Sequence, residues 1–152
     1  MGKYKNSLNE FLSVNNFDIE EIKNINYNIA YSYFKLKDYE NSALYFQKFL
    51  EQNLEDNDLN DDASNRLGDS FYATKNYASA ITAYENVINQ GGVGSDYAQY
   101  QKAMSNGLSG KNEDKINDLL AVVNNYGTSK LKDDALFELA NTYTSLGRTT
   151  KA

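Results

Sequence analysis

The stretch Asn28–Leu50 reads NIAYSYFKLKDYENSALYFQKFL, and Arg66–Ile88 reads RLGDSFYATKNYASAITAYENVI. Few residues are identical, yet size and polarity run in parallel. Ala30 and Gly68 are the equivalent small residues, preceded by Ile29 and Leu67 and followed three residues on by Tyr33 and Phe71. The correspondence continues through Tyr39 and Tyr77, Ser42 and Ala80, Phe46 and Tyr84, and Phe49 and Val87. A spacing written twice asks for the same packing twice, so each copy must be one structural unit. Apolar residues fall three and four apart, the helical period, and no stretch alternates strictly in twos. There is no proline to break a helix. Small residues let two antiparallel helices approach, and the aromatics fill the flanks of the contact.

The same frame extends in both directions. DDALFELANTYTSLGR sets Leu139, Ala140, Tyr143, Leu146 and Gly147 in the same places, and Tyr4, Ser7, Phe11 and Val14 match Tyr39, Ser42, Phe46 and Phe49. A third central unit, YAQYQKAMSNGLSGKNEDKINDLLAVV, fits with Ala103 as its small residue. It sets Lys102, Asn106 and Lys115 where apolar or small residues are expected, and a shift of one residue fits it similarly well. The steps from Ala30 to Gly68 to Ala103 to Ala140 are 38, 35 and 37. The chain thus divides into a second helix of a preceding repeat (1–16), repeats at 17–54 and 55–92, a degenerate repeat at 93–127 and a truncated one at 128–152.

Helix signals accompany this division. Asp18 and Glu21 form a capping-box pair ahead of Ile25 and Ile29, and Asp38, Asn76 and Asn112 are placed to cap the second helices of their units. NQGGVGSD reads as a loop, with Ser95 or Asp96 opening the next helix, and Gly92 and Gly127 stand where second helices close.

The residue content narrows the chemistry. With no histidine and no cysteine, histidine-dependent catalysis and the usual zinc sites are excluded. GGVGSD lacks the third glycine of a dinucleotide loop, and NGLSGKN has Asn112 where a phosphate loop needs Ser or Thr. DNDLNDDASN sets Asp56, Asp58 and Asn60 like calcium ligands, but Asp61 replaces the obligatory glycine and Leu67 the closing glutamate. That stretch reads instead as a solvated linker feeding Asp61 and Asp62 into a helix N-terminus. No catalytic residue, metal site or cofactor is expected. The 15 basic residues are scattered and the net charge is −6, which disfavours nucleic acid. No run approaches the ~18 apolar residues of a membrane span, and MGKYKNSLNEFL lacks the apolar region of a signal peptide.

A period near 34 with a small residue, a Tyr or Phe and a later Ala, clearest in LGDSFYATKNYASAITAYENVI, resembles the tetratricopeptide repeat. NNYGTSKLKDDALFELANTYTSLGR is similar in style to repeat proteins of the bacterial cell envelope, such as outer-membrane assembly lipoproteins and partners of the Tol–Pal system. The resemblance implies an all-α fold, a right-handed superhelical solenoid of antiparallel helix pairs, with the first helix of each unit lining a concave groove. The groove positions it implies are Tyr27, Tyr31 and Phe34, then Asn65, Asp69 and Tyr72, then Tyr97, Tyr100, Met104 and Leu108, and finally Phe137 and Asn141. In the third unit the apolar stripe lies on the groove side: either that helix is rotated or the groove has an apolar floor. One subtype of the family grips a C-terminal carboxylate with Lys, Asn and Arg; only Arg66 stands at a suitable place, so a chaperone-tail binder is not expected. The function implied is a non-catalytic scaffold holding a protein or peptide partner, with a structural spacer in a longer array as the alternative. The compartment is left open, the envelope resemblance pointing to periplasm. SLNEFLSV and LFELANTY each present an apolar stripe with no covering repeat, and Ala152 falls in mid-repeat. The chain is therefore expected to be a piece of a longer array whose uncapped faces associate end to end.

Overall fold

The structure is a computed structural model that describes residues 2–13, 19–52 and 57–148. These form α1 (Gly2–Leu12), α2 (Ile19–Lys35), α3 (Tyr39–Leu50), α4 (Asn57–Ala73), α5 (Tyr77–Gln90), α6 (Ser95–Leu108), α7 (Asn112–Asn125) and α8 (Lys132–Ser145), and no strand occurs among the described residues. Each helix packs on the next in chain order. In addition α2 touches α4, and α4 touches α6. Contact between next-but-one helices puts the even-numbered layer on the tighter, inner side of the curve. The fold is an all-α solenoid.

The repeat frame is visible as a repeat of burial. Ala30, Phe46 and Phe49 are fully buried, and so are Tyr84 and Val87 in the second unit and Ala103, Leu119 and Val122 in the third. Ser42 and Ala80, the small residues of the opposing helices, are also fully buried, and Ser70 Oγ donates to Ser42 Oγ at 3.1 Å between the two units. Tyr84 approaches so closely that a Cβ on Gly68 would fall within 3.0 Å of its ring atoms.

The turns inside the units are copies of one another. Lys37, Lys75, Gly110 and Gly147 all have positive φ, between 62° and 77°. Each lies seven residues beyond Ala30, Gly68, Ala103 or Ala140. Each N–H reaches back three residues, to the carbonyls of Phe34, Tyr72, Gly107 and Thr144. The next N–H reaches back five, to Tyr33, Phe71, Asn106 and Tyr143. This is the paired closure that ends a helix on a left-handed residue. Asp38 then caps α3 by accepting from Asn41 N, and Asn76 caps α5 by accepting from Ser79 N.

Four local expectations change. α4 begins at Asn57, so Asp58, Asp61 and Asp62 lie inside a helix and not in a solvated linker. Asn112 is the first residue of α7, and Lys111, eight residues beyond Ala103 as Asp38 is beyond Ala30 and Asn76 beyond Gly68, holds the cap position without a side-chain bond. Gly91 rather than Gly92 closes α5 in the left-handed conformation. Gly92 is small for another reason, since a Cβ there would collide with the Asp61 carboxylate. α7 closes at Tyr126, with φ −120° and ψ 56°, and Gly127 is not a left-handed cap. Val14, Asp18, Asp56 and Ala152 lie outside the described residues.

Candidate partner groove

The inner helices carry aromatic residues at the spacings the repeat imposes. On α2, Tyr27 and Tyr31 are one turn apart and their rings stack with centres 6.2 Å apart. With Phe34, Asn28, Lys35, Asp62 and Arg66 they line an open concavity of about 510 Å³ between α2 and α4. Its walls are held from behind, because the Tyr27 ring also packs on Phe46 and Phe49 of α3 at 5.8 and 5.3 Å.

A chain of polar contacts runs along this wall. The Tyr27 hydroxyl donates to Asp62 Oδ2 at 2.6 Å, and Arg66 Nε lies 3.5 Å from Asp62 Oδ1. One turn on, Arg66 Nη1 donates to Asp69 Oδ2. Asp69 Oδ1 accepts from Tyr84 of α5 at 2.9 Å and from Tyr97 of α6 at 2.8 Å. The Arg66 guanidinium also sits 5.7 Å from the ring centres of Phe34 and of Tyr97. Three helices, α4, α5 and α6, thus meet at one carboxylate, and α2 joins through Asp62. Burial raises the Asp69 carboxyl above its ordinary value, against the pull of its Tyr97, Arg66 and Tyr84 donors. Burial, then the Asp69 charge, drives the Tyr84 and Tyr97 phenols far upward, and burial with the Asp62 bond does the same for Tyr27.

The remaining positions fall into three groups. Asn65 is buried, and its Oδ1 has no hydrogen-bond partner. Tyr72 is half-buried with its ring edge-on to Tyr77, 5.7 Å between centres, and Tyr100 is half-buried against the core of Ala103 and Leu139. Met104 and Leu108 of α6 face Asn141 and Ser145 of α8 across a second concavity of about 320 Å³. Leu108 and Phe137 are among the most exposed large apolar residues, at 54% and 66%. The first three groove residues therefore share one concavity, Met104, Leu108 and Asn141 share another, Asn65 is buried, and Asp69 is bonded inside the wall.

The outer side of the third unit holds a carboxylate that sequence reasoning missed. Asp118 of α7 is buried and accepts from Gln99 Nε2 and from Asn106 Nδ2, each at 2.8 Å. Lys102 Nζ bridges Asp118 and Glu85 at 3.3 and 3.0 Å. The packing side of α6 is polar because it surrounds a charge. Burial works against the Lys102 ammonium, but Glu85 and Asp118 raise it overall. Asp61, also buried, accepts from Val93 N at 2.8 Å and fastens the α5–α6 loop. A usable signal existed for such pairs: Tyr27 and Asp62 are 35 residues apart, and Asp61 and Val93 are 32 apart, close to one repeat period. Among the described residues no group of three acidic side chains is placed to hold a metal ion, and no described helix is long and apolar enough to cross a membrane.

Residues 23–91, from α2 to the end of α5, match the tetratricopeptide repeat family. The match covers 69 of the 152 residues. Helices α6 to α8 lie beyond the matched residues, yet they keep the same left-handed turn at Gly110 and Gly147 that the matched units have at Lys37 and Lys75. A comparison with curated proteins gives no match.

Proposed function

We propose that this chain is a non-catalytic protein-interaction module that holds an extended or helical segment of a partner against the inner faces of α2, α4, α6 and α8. The observation that carries this reading is the concavity of about 510 Å³ walled by Tyr27, Tyr31 and Phe34. Half-buried aromatics offer apolar area and a polar tip at little entropic cost, which is what binding anchors require. Tetratricopeptide repeats are generally protein-interaction modules and their fold is typically non-enzymatic, which agrees with the concavity. The likeness of the last unit to bacterial cell-envelope repeats supports an envelope partner.

The test is a triple variant, Tyr31→Ala, Tyr72→Ala and Tyr100→Ala, assayed against a partner captured by the unaltered chain. Loss of an aromatic anchor costs roughly 2 kcal/mol or more, so affinity should fall at least severalfold while the helical circular dichroism signal persists. Unchanged affinity would end the reading. A spacer role is favoured by one fact: Arg66, Asp69 and Tyr97 satisfy one another inside the wall. Binding confined to flanking segments would establish that role instead.

A further inference from the structure

The inner wall differs from one end to the other in what its charges are free to do. Toward α2 the cations are engaged. Arg66 lies between Asp62 and Asp69, and Lys35 Nζ sits 4.8 Å from the centre of the Tyr31 ring. A partner carboxylate arriving there finds no guanidinium without acids already on it.

Toward α8 the balance shifts to unmatched acid. Asp134, Glu138 and Asn141 follow one another at helical spacing, so they share a face with Phe137. Glu138 accepts from Lys115 Nζ at 2.8 Å. Asp134 is exposed and has no ion pair among the described residues. Tyr100 is half-buried against the core cluster that includes Ala135 and Leu139 of the same helix, and Tyr72 is half-buried on the preceding inner helix, α4. Both phenols are held above their ordinary value, first by burial, and then by Tyr77 and Glu138 for Tyr72 and by Glu138 and Asp134 for Tyr100. Beside this acidic, aromatic stretch lies the apolar one. Met104 and Leu108 border the open space between α6 and α8. Gly107 lets the Lys115 stem cross its floor, since a Cβ there would come within 2.7 Å of Lys115 Cδ.

We infer, resting on the groove reading above, that the α6–α8 half of the groove takes a partner segment combining an apolar anchor with a lysine or arginine. The anchor lies on Met104, Leu108 and Phe137, and the cation lies against the Tyr100 ring beside Asp134. Charge complementarity argues for this occupant. Ring faces attract ammonium and guanidinium groups, and a neighbouring carboxylate adds to the attraction. An acidic segment would meet Asp134 and Glu138 with Lys115 already committed.

The experiment measures fluorescence anisotropy of the full chain with two labelled peptides, acetylated and amidated, one alternating leucine and lysine, the other leucine and glutamate. The lysine peptide should bind about tenfold or more tightly than the glutamate peptide, and added salt should weaken it. Asp134→Lys, an exposed change that leaves Lys115–Glu138 intact, should weaken the lysine peptide severalfold, and Phe137→Ser should weaken it as well. Equal binding of both peptides, abolished by Tyr72→Ala with Tyr100→Ala, would overturn the charge preference and leave the groove standing. No binding of either peptide would overturn both. Lysine-peptide binding indifferent to Asp134→Lys would show general attraction to an acidic protein and would also overturn the inference.

Discussion

At the scale of single residues, the tightest constraint is a missing atom. Gly68 lies under the Tyr84 ring, which is fully buried and tied by its hydroxyl to Asp69. The ring cannot retreat without releasing that bond. Gly68→Ala should therefore cost about 1–3 kcal/mol, the usual cost of overpacking a filled core, read as a lower urea midpoint at unchanged slope. Ala30→Gly, at the equivalent place in the first unit, should cost only about 1 kcal/mol, the helix-propensity difference. That Gly68 is small was legible in the sequence, because it aligns with Ala30 and Ala103. That Asp69 is a hub was not. Its repeat position marked it only as a groove residue, and the two phenols that hold it come from α5 and α6. A repeat frame says which face a residue occupies. It says nothing about which neighbour's side chain meets it there.

At the scale of elements, the helices and their order followed from spacing alone, whereas their ends did not. The linker reading of DNDLNDDASN failed because acidic residues look solvated wherever they stand. Asp61 and Asp62 are instead spaced one repeat from backbone and hydroxyl donors, which pull the segment into α4. The turns offer a cleaner test. Lys37 and Lys75 occupy the left-handed conformation that Gly110 and Gly147 occupy in the other units. A side chain with a Cβ is strained there, by about 1–2 kcal/mol, although glycine gives back part of this through a more flexible unfolded chain. Lys37→Gly and Lys75→Gly should each stabilise by about 0.5–1 kcal/mol, and Gly110→Lys should destabilise by a similar amount. Thermal melts of the three variants would show the opposite signs directly. The same sign for all three would refute the account.

At the scale of the whole molecule, the buried phenols couple the solenoid to alkaline pH. Tyr27, Tyr84 and Tyr97 have folded-state pKa values raised above 10.0, by burial first and by their carboxylate neighbours next. A raised folded pKa means the unfolded chain ionises first. The stability these phenols hold is intact below the ordinary tyrosine value and is lost as pH climbs past it. Unfolding above that value should be cooperative, with phenolate absorbance rising together with the loss of helix. Tyr84→Phe with Tyr97→Phe should make the alkaline limb shallower. Phenolate appearing gradually in a chain that stays helical would contradict this.

The Asp69 contact also determines whether these repeats can be exchanged for one another. The turn at Gly110 follows that at Lys75 by 35 residues, so the counterpart of Tyr97 in the second unit is Asp62. Were residues 57–92 duplicated in tandem, the Asp69 of the first copy would face the Asp62 of the second where a phenol now donates. Asp69 would lose a hydrogen-bond donor and gain a like charge on the facing helix, and the junction would open or take up a proton to avoid it. The units look alike in outline but are addressed to particular neighbours, so this solenoid cannot lengthen by simple copying of its middle.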